Sequence, residues 1–267
     1  MSDELRAALA HERYPRSGRY DPEWVLESSM GSSNVLWATE ALCDQLPLEP
    51  GMRVLDLACG TAHSSIFLAR EFGVTVWAVD FLVDPTANWK RIEEAGLGDQ
   101  VFPLRADARY LPFPNGMFDV VTCLGSYKYF GTDDLFLQAL VRVLRDDGRI
   151  GIVTAGVRVE MEEFPEDVSP VWKLQLEALH SAEWWRHHFE RGDLVDVEVA
   201  DLVPEGGRDW ARWFEICMQH DVGNPAGYRE DAEMLRDDND ERWGLVRLVA
   251  RMRPDYSARA PLGLWGA

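Results

Sequence analysis

A glycine and an aspartate stand 20 residues apart in a stretch of small and apolar residues. Gly60 lies between Ala58 and Ala62, and Asp80 closes the next apolar run. Small residues let the backbone turn sharply and come close to a ligand. A carboxylate at this offset can accept hydrogen bonds from ribose hydroxyls. The pair therefore predicts a site for a ligand that carries a nucleoside.

The elements that must position this pair follow from the hydrophobic pattern. Residues 52–57 are a short apolar run, typical of a strand buried on both faces of a parallel sheet. Residues 66–72 give an apolar face at helical spacing, ended by Gly73, and residues 74–79 predict a second buried strand. Strand, tight turn, helix and strand form half of a nucleotide-binding sheet.

The turn lacks the glycines of a dinucleotide site. That fingerprint is Gly-x-Gly-x-x-Gly, which lets a pyrophosphate sit on a helix N-terminus. Here Gly60 is the single glycine of the turn, and the next one is Gly73. A nicotinamide-dependent oxidoreductase is therefore disfavoured.

The run Val54-Leu55-Asp56-Leu57-Ala58-Cys59-Gly60-Thr61-Ala62 resembles the first motif of the class I S-adenosylmethionine-dependent methyltransferases, with Ala at two of its three glycine positions. Asp107-Ala108 follows a third strand over residues 101–105, where that family places an acidic residue near adenine. Over most of its length the chain also resembles bacterial methyltransferases of unknown substrate. These carry Ser-Tyr-His-Tyr-Phe-Gly where this chain has Ser-Tyr-Lys-Tyr-Phe-Gly over residues 126–131.

The resemblance implies S-adenosylmethionine as the cofactor, with Asp80 on the ribose, Asp107 on the adenine and the turn after Asp56 at the methionine end. From the residues alone, the polar start of a helix at Asn34 could offer free backbone N–H groups to a carboxylate, or could simply be capped. No metal site is predicted. The predicted cofactor-binding residues are Asp56, Ala58, Cys59, Gly60, Asp80, Phe81, Asp107, Ala108, Leu124, Ser126 and Asn34.

The predicted catalytic residues are Tyr127, Lys128 and Tyr129, just beyond a fourth strand over residues 117–123. In open α/β sheets, ligands bind outside the carboxyl ends of the strands. Either tyrosine could hydrogen-bond a nucleophile or face a sulfonium cation. Lys128 could be a general base or bind a substrate carboxylate, and the alternative is a solvent-exposed lysine.

Four aromatic residues are predicted to bind the substrate. Tyr14, Tyr20 and Trp24 belong to a proline-broken N-terminal stretch, and Trp172 lies in an insert after the fifth strand. The N-terminal rings could form a lid over the ligands or pack on the domain as a surface arm, and the sequence leaves both open.

The net charge and the cysteine spacing limit the classes of partner that the protein is expected to bind. A net charge of -19 argues against nucleic acid and anionic membrane surfaces, both of which attract basic proteins. The four cysteines, Cys43, Cys59, Cys123 and Cys217, have no paired spacing, which indicates a reducing cytoplasm and neither a disulfide framework nor a zinc site. The expected partner is a small-molecule substrate, and the oligomeric state is not predicted.

The predicted fold is a single α/β domain with a Rossmann-like, seven-stranded, mostly parallel sheet, helices on both faces and a small helical cap. The resemblance to the methyltransferases implies that the last strand runs antiparallel. The predicted parts are an N-terminal lid or arm (1–33), a cofactor-binding core (34–155), a cap insert (156–192), the C-terminal part of the sheet (193–253) and a tail (254–267).

The predicted activity is methyl transfer to an N, O or C atom of a small molecule. The alternative is an enzyme that uses the same cofactor without methylating, through cyclisation or aminopropyl-type transfer, and releases methylthioadenosine. A binding module that releases neither S-adenosylhomocysteine nor methylthioadenosine is a further alternative. The product distinguishes these three hypotheses.

Overall fold

The computed structural model describes residues 2–161, 163, 165, 168, 170–173 and 175–254. Within them, seven strands form one sheet: β1 Arg53–Leu57, β2 Thr75–Asp80, β3 Val101–Arg105, β4 Phe118–Leu124, β5 Leu144–Val157, β6 Val195–Leu202 and β7 Trp243–Met252. Their order is β3-β2-β1-β4-β5-β7-β6. β7 runs antiparallel to β5 and β6, and the other pairs are parallel. The predicted sheet is confirmed.

Helices connect and cover these strands. They are α1 Ser2–Leu9, α2 Pro22–Leu26, α3 Val35–Cys43, α4 His63–Phe72, α5 Pro85–Glu94, α6 Phe136–Val141, α7 Pro170–Lys173, α8 Ala182–Glu190, α9 Gly206–Gln219 and α10 Pro225–Asp238. Their starts follow local rules: Asp84 accepts a hydrogen bond from the backbone N–H of Thr86, and Pro85 opens α5. Short 3₁₀ turns cover Ser17–Arg19, Tyr127–Tyr129 and Leu176–Ala178.

The sheet is apolar on both faces, as expected for a buried parallel sheet. Along β1, Val54 belongs to a core on one face that includes residues of α3 and α4, whereas Leu55 and Leu57 belong to a core on the other face that includes residues of α6 and α8. β2 alternates in the same way, with Val76 on the first face and Val79 on the second. The period of two along each strand therefore produces two hydrophobic cores.

Strand order reverses at β1, because β2 and β3 lie on one side of it and β4 on the other. The connections leaving the carboxyl ends of β1 and β4 consequently diverge and leave a crevice between them. This crevice holds the candidate site.

The fifth strand differs from its prediction. It begins at Leu144 instead of Arg149, and its pairing with β4 jumps from Phe118–Leu144 to Val120–Arg149. Asp147 has a φ of 61° at this jump, so the predicted turn at Asp147 is a bulge within the strand.

Part of the predicted organisation lies outside the described residues. This holds for the tail apart from Pro254, and for residues 162, 164, 166, 167, 169 and 174 of the predicted cap. Among the described helices, none combines the length and apolar character that a membrane crossing requires.

Candidate active site

Asp56 anchors the turn that follows β1. Its carboxylate is fully buried and accepts hydrogen bonds from the hydroxyls of Ser64 (2.6 Å), Ser65 (2.6 Å) and Thr122 (3.0 Å). Burial raises the pKa of Asp56, and the three hydroxyls oppose that shift. Asp56 does not line the cavity described below. Its predicted cofactor contact is therefore corrected: Asp56 joins β1, α4 and β4 and positions the turn.

Gly60 is held from both sides by side chains of neighbouring elements. Asp80 accepts a hydrogen bond from the Gly60 N–H at 2.8 Å, and the Asn88 amide donates to the Gly60 carbonyl at 2.9 Å. The second carboxylate oxygen of Asp80 accepts from the N–H groups of Leu82 (2.7 Å) and Val83 (2.8 Å). Asp80 thus fixes the turn after β1 and the loop after β2 together.

The turn requires a left-handed backbone at all three glycine positions of the resembled motif. The φ angles are 56° at Ala58, 55° at Gly60 and 62° at Ala62. Alanine adopts this region at a cost of about 1–2 kcal/mol, so the turn is built despite its two alanines. A Cβ atom added to Gly60 would lie 2.7 Å from Sδ of Met30. Met30 therefore occupies the space above Gly60, and any side chain at position 60 would displace it.

A cavity of about 560 Å³ opens at the carboxyl ends of β1, β2 and β4. Most of its walls come from residues 57–61, 79–82, 106–109 and 124–126. The predicted residues that line it are Ala58, Cys59, Gly60, Asp80, Phe81, Asp107, Ala108, Leu124, Ser126 and Tyr129. The spacing of these residues along the chain is explained by the sheet, since each group follows a parallel strand.

Asn34 does not line the cavity. It is buried, and its side-chain oxygen accepts hydrogen bonds from the N–H groups of Leu36 (3.0 Å) and Trp37 (3.2 Å). These are the donors that the prediction assigned to a carboxylate of the cofactor. The prediction is corrected: Asn34 caps α3.

The segment before α3 contributes residues that the sequence did not single out. Ser28, Met30, Ser32 and Ser33 line the cavity. A Cβ atom on Gly125 would lie 2.6 Å from Oγ of Ser32, so this segment reaches across to the loop after β4. Small polar residues carry little pattern, and no signal in the sequence distinguished them from a plain turn.

His63 fastens the N-terminal arm to the turn. Its Nε2 donates to the Trp24 carbonyl at 2.9 Å, so Nδ1 is the acceptor for the Thr61 hydroxyl at 2.8 Å. Its ring also packs on the Trp24 ring, with centroids 4.2 Å apart. Burial lowers the pKa of His63 to about 4, so the imidazole is neutral at neutral pH.

The four aromatic residues predicted to bind the substrate pack instead. Tyr14 lies against Trp37, and Tyr20 stacks on Trp24. Trp172 is buried between Trp210 and Trp243, with ring centroids at 5.3 and 5.1 Å. None of the four lines the cavity, so this prediction is corrected in favour of packing for Tyr14, Tyr20, Trp24 and Trp172.

The three predicted catalytic residues point in different directions. Tyr127 is fully buried, with Phe136 and Trp185 at edge-to-face distances of 5.7 and 5.5 Å, and it does not reach the cavity. Its catalytic assignment is corrected, since it anchors the loop. Tyr129 lines the cavity, is 58% exposed and donates a hydrogen bond to Gln175 at 3.2 Å. Lys128, which stands between the two tyrosines in the sequence, is buried and does not line the cavity.

The cavity suits a nucleoside-bearing cofactor. Its volume is within the usual range of small-ligand sites, about 300–1,000 Å³. Asp80 presents a carboxylate for a ribose diol, and the half-buried Asp107 presents another for an exocyclic amine. Phe81 and Leu57 provide apolar walls, and Gly60 provides the close backbone approach.

Several known proteins are similar to this chain in sequence. A family model described as a methyltransferase domain matches residues 54–148. The demethylmenaquinone methyltransferase of Beutenbergia cavernae is 31% identical over 73% of this chain and 74% of its own. The 27-O-demethylrifamycin SV methyltransferase of Amycolatopsis mediterranei is 31% identical over 78% of this chain and 75% of its own. With the methyltransferase GfsG of Streptomyces halstedii, 31% identity extends over 47% of this chain and 45% of that protein.

Solved structures show the same fold at lower identity. Geranyl diphosphate methyltransferase in complex with S-adenosylmethionine superposes with a TM-score of 0.63 at 21% identity, over 80% of this chain and 84% of its own. The [4+2]-cyclase SpnF superposes with a TM-score of 0.66 at 21% identity, over 80% of each chain. Given the site and the two relatives matched over about three quarters of their length, the chain belongs to the class I S-adenosylmethionine-dependent methyltransferases.

Proposed function

We propose that the protein methylates a small organic acceptor that enters the cavity between Met30 and Tyr129. These two side chains are 51% and 58% exposed, and both line the cavity. An aromatic ring and a thioether form an adaptable apolar entrance for an organic molecule. The observation that carries the proposal is that these two exposed side chains belong to the wall of a nucleoside-sized cavity.

Cofactor binding is assigned to the residues at the strand ends. Asp80 has lone pairs left after its three backbone hydrogen bonds, and these accept from the ribose hydroxyls. Asp107, whose carboxylate already accepts from the Arg109 N–H at 2.9 Å, accepts from the adenine amine. The backbone at Gly60 lies against the methionine end.

When bound, S-adenosylmethionine supplies an electrophilic methyl group on a sulfonium. The protein then has to orient the acceptor and exclude water, which accounts for much of the acceleration in a group transfer of this kind. Tyr129 is suited to orient the acceptor, because Gln175 holds its hydroxyl and thereby its ring. The same bond joins the entrance to the segment around the 3₁₀ turn Leu176–Ala178.

We also propose that the acceptor is a natural product with an oxygen nucleophile and that the protein works in a reducing cytoplasm. The relative that acts on 27-O-demethylrifamycin SV supports a natural-product acceptor and an oxygen nucleophile. The four free cysteines support a reducing cytoplasm.

Mass spectrometry of the small molecule released from the purified protein tests the cofactor assignment. S-adenosylmethionine or S-adenosylhomocysteine is expected, and a nicotinamide or flavin nucleotide would contradict the assignment. Incubation with S-adenosylmethionine and a panel of hydroxylated, quinone and amine acceptors should then release S-adenosylhomocysteine and a product heavier by one methylene. Release of methylthioadenosine would instead support the cyclising or aminopropyl-transferring alternative.

A further inference from the structure

The side chain of Met30 lies over the turn that follows β1. Its Sδ atom is 2.7 Å from the position that a Cβ atom on Gly60 would take, and its methyl carbon is 3.9 Å from the same position. Apart from the neighbours of Gly60 in the chain, no other described residue comes within 4 Å of it. Met30 also lines the cavity. A single thioether side chain therefore fills the space above Gly60.

Met30 belongs to a short segment that lies between α2 and α3. Among the described residues, nothing forms a hydrogen bond with the backbone of residues 30–33. The segment is held at its start, where the hydroxyls of Ser29 and Tyr228 are hydrogen-bonded at 3.0 Å. Met30 is 51% exposed, and a Cβ atom on Gly31 would meet nothing within 4 Å. The side chain of Met30 therefore has open space into which it can move.

The proposed function places the amino acid end of the cofactor at the same turn. Asp80 and Asp107 are assigned to the nucleoside, and the backbone of Gly60 to the methionine end. In S-adenosylmethionine this end is a methionine, so its chain of two methylenes and a sulfur is the chain that Met30 carries. Both are flexible and apolar, and a subsite that accommodates one suits the other. Because packed atoms exclude one another, the two cannot occupy the space above Gly60 together.

We propose that the side chain of Met30 occupies the subsite of the cofactor's amino acid end until the cofactor binds and displaces it. This inference rests on the proposed function. The affinity for a ligand is reduced by the fraction of molecules in which its subsite is open. Met30 therefore lowers the affinity for ligands that carry the amino acid end and leaves the affinity for nucleosides without it unchanged.

Titration calorimetry with S-adenosylhomocysteine and with adenosine tests this role. Met30→Ala should bind S-adenosylhomocysteine about 3–10-fold more tightly than wild type, because the contacts of a half-exposed apolar side chain no longer have to be broken. Adenosine, which lacks the amino acid end, should bind the two proteins equally. Equal or weaker binding of S-adenosylhomocysteine by Met30→Ala would overturn the inference and make Met30 a wall of the site. An equal gain for both ligands would also overturn it, since Met30 would then obstruct the nucleoside.

Two control variants separate displacement from a general effect of apolar residues in the wall. Leu82 also lines the cavity and is 77% exposed, but it is not within 4 Å of a Cβ position on Gly60. Leu82→Ala should keep the wild-type ratio of the two affinities. Met30→Leu retains an apolar side chain of similar size and should also keep that ratio. A ratio changed as much by either control as by Met30→Ala would contradict the assignment to the Met30 side chain.

Methionine labelled with ¹³C at the methyl group reports the displacement directly. The chain has eight methionines, and Met30→Leu assigns the resonance of Met30. Saturation with S-adenosylhomocysteine should shift this resonance, whereas saturation with adenosine should leave it near its position in the free protein. Equal shifts would contradict displacement by the amino acid end. If wild type and every variant fail to bind S-adenosylhomocysteine, the proposed function is refuted. If all of them bind it with one common ratio to adenosine, only the role of Met30 is refuted.

Discussion

The carboxylate of Asp80 accepts a hydrogen bond from the backbone N–H of Gly60 at 2.8 Å, although the two residues belong to different strand connections. Asp80 therefore acts twice: it shapes the turn after β1 and presents a carboxylate to the cavity.

Asp80→Asn should weaken binding of S-adenosylhomocysteine about 10–100-fold, because hydrogen bonds to a charged group contribute about 1.5–3 kcal/mol. Titration calorimetry gives the affinity. Asp107→Asn is the matched control, since Asp107 also lines the cavity but accepts a backbone hydrogen bond only from its own loop. This variant should lose less affinity for S-adenosylhomocysteine than Asp80→Asn does. A cofactor analogue without ribose hydroxyls should distinguish wild type from Asp80→Asn less than S-adenosylhomocysteine does, because only the effect on the turn is left. If the analogue distinguishes the two proteins just as strongly, Asp80 acts through the turn and does not hold the ribose.

Gly60→Ala should weaken cofactor binding, whereas Gly96→Ala should leave it intact. Both glycines have positive φ angles, 55° and 70°, so each substitution should cost about 1–2 kcal/mol of stability through backbone strain. The new methyl group meets Met30 at position 60 and open space at position 96. Denaturation and calorimetry on both variants separate strain from filling of the cavity. Equal loss of affinity in the two variants would mean that the methionine end does not approach Gly60.

Ala58→Gly should leave stability unchanged or raise it by up to about 1 kcal/mol, since relief of the left-handed strain outweighs the added flexibility of glycine. Ala87→Gly, on the exposed face of α5, should instead cost about 1 kcal/mol. Urea denaturation measures both free energies of unfolding. The same loss in both variants would show that the turn imposes no strain at position 58.

Stability should fall on acidification because of His63. Its pKa is about 4 in the folded protein and 6.5 ordinarily, so between these values the unfolded chain binds a proton that the folded chain does not. The contribution is complete above pH 6.5 and is lost as the pH falls to about 4, to a total of about 2–3 kcal/mol. His63→Gln keeps an amide that can donate to the Trp24 carbonyl and removes this titration.

The free energies of unfolding of wild type and His63→Gln should therefore converge as the pH falls from 7 to 4.5. His188, whose pKa burial also lowers, is common to both proteins and cancels in the difference. Parallel curves would show that His63 is protonated in the folded state without penalty.

The strand connections of the site could be predicted from the sequence because their determinants are local. Apolar runs of strand length, a small-residue turn and a helical period imply parallel strands, and parallel strands collect their carboxyl ends at one edge of the sheet. Gly60, Asp80 and Asp107 are brought to one cavity for that reason.

Tertiary structure alone decided which polar and aromatic residues face the cavity. Asp56 and Asn34 have the chemistry of ligand-binding residues. The oxygens of Asp56 already accept hydrogen bonds from buried hydroxyls, and the side-chain oxygen of Asn34 already accepts them from helix N–H groups. Tyr14 and Trp172 are equally able to bind a substrate or fill a core, and packing against distant tryptophans settled the choice. Such contacts join residues far apart in the chain, so no local pattern encodes them. Lys128 is the clearest case, because its sequence neighbours suggest a surface lysine and the folded chain buries its amine.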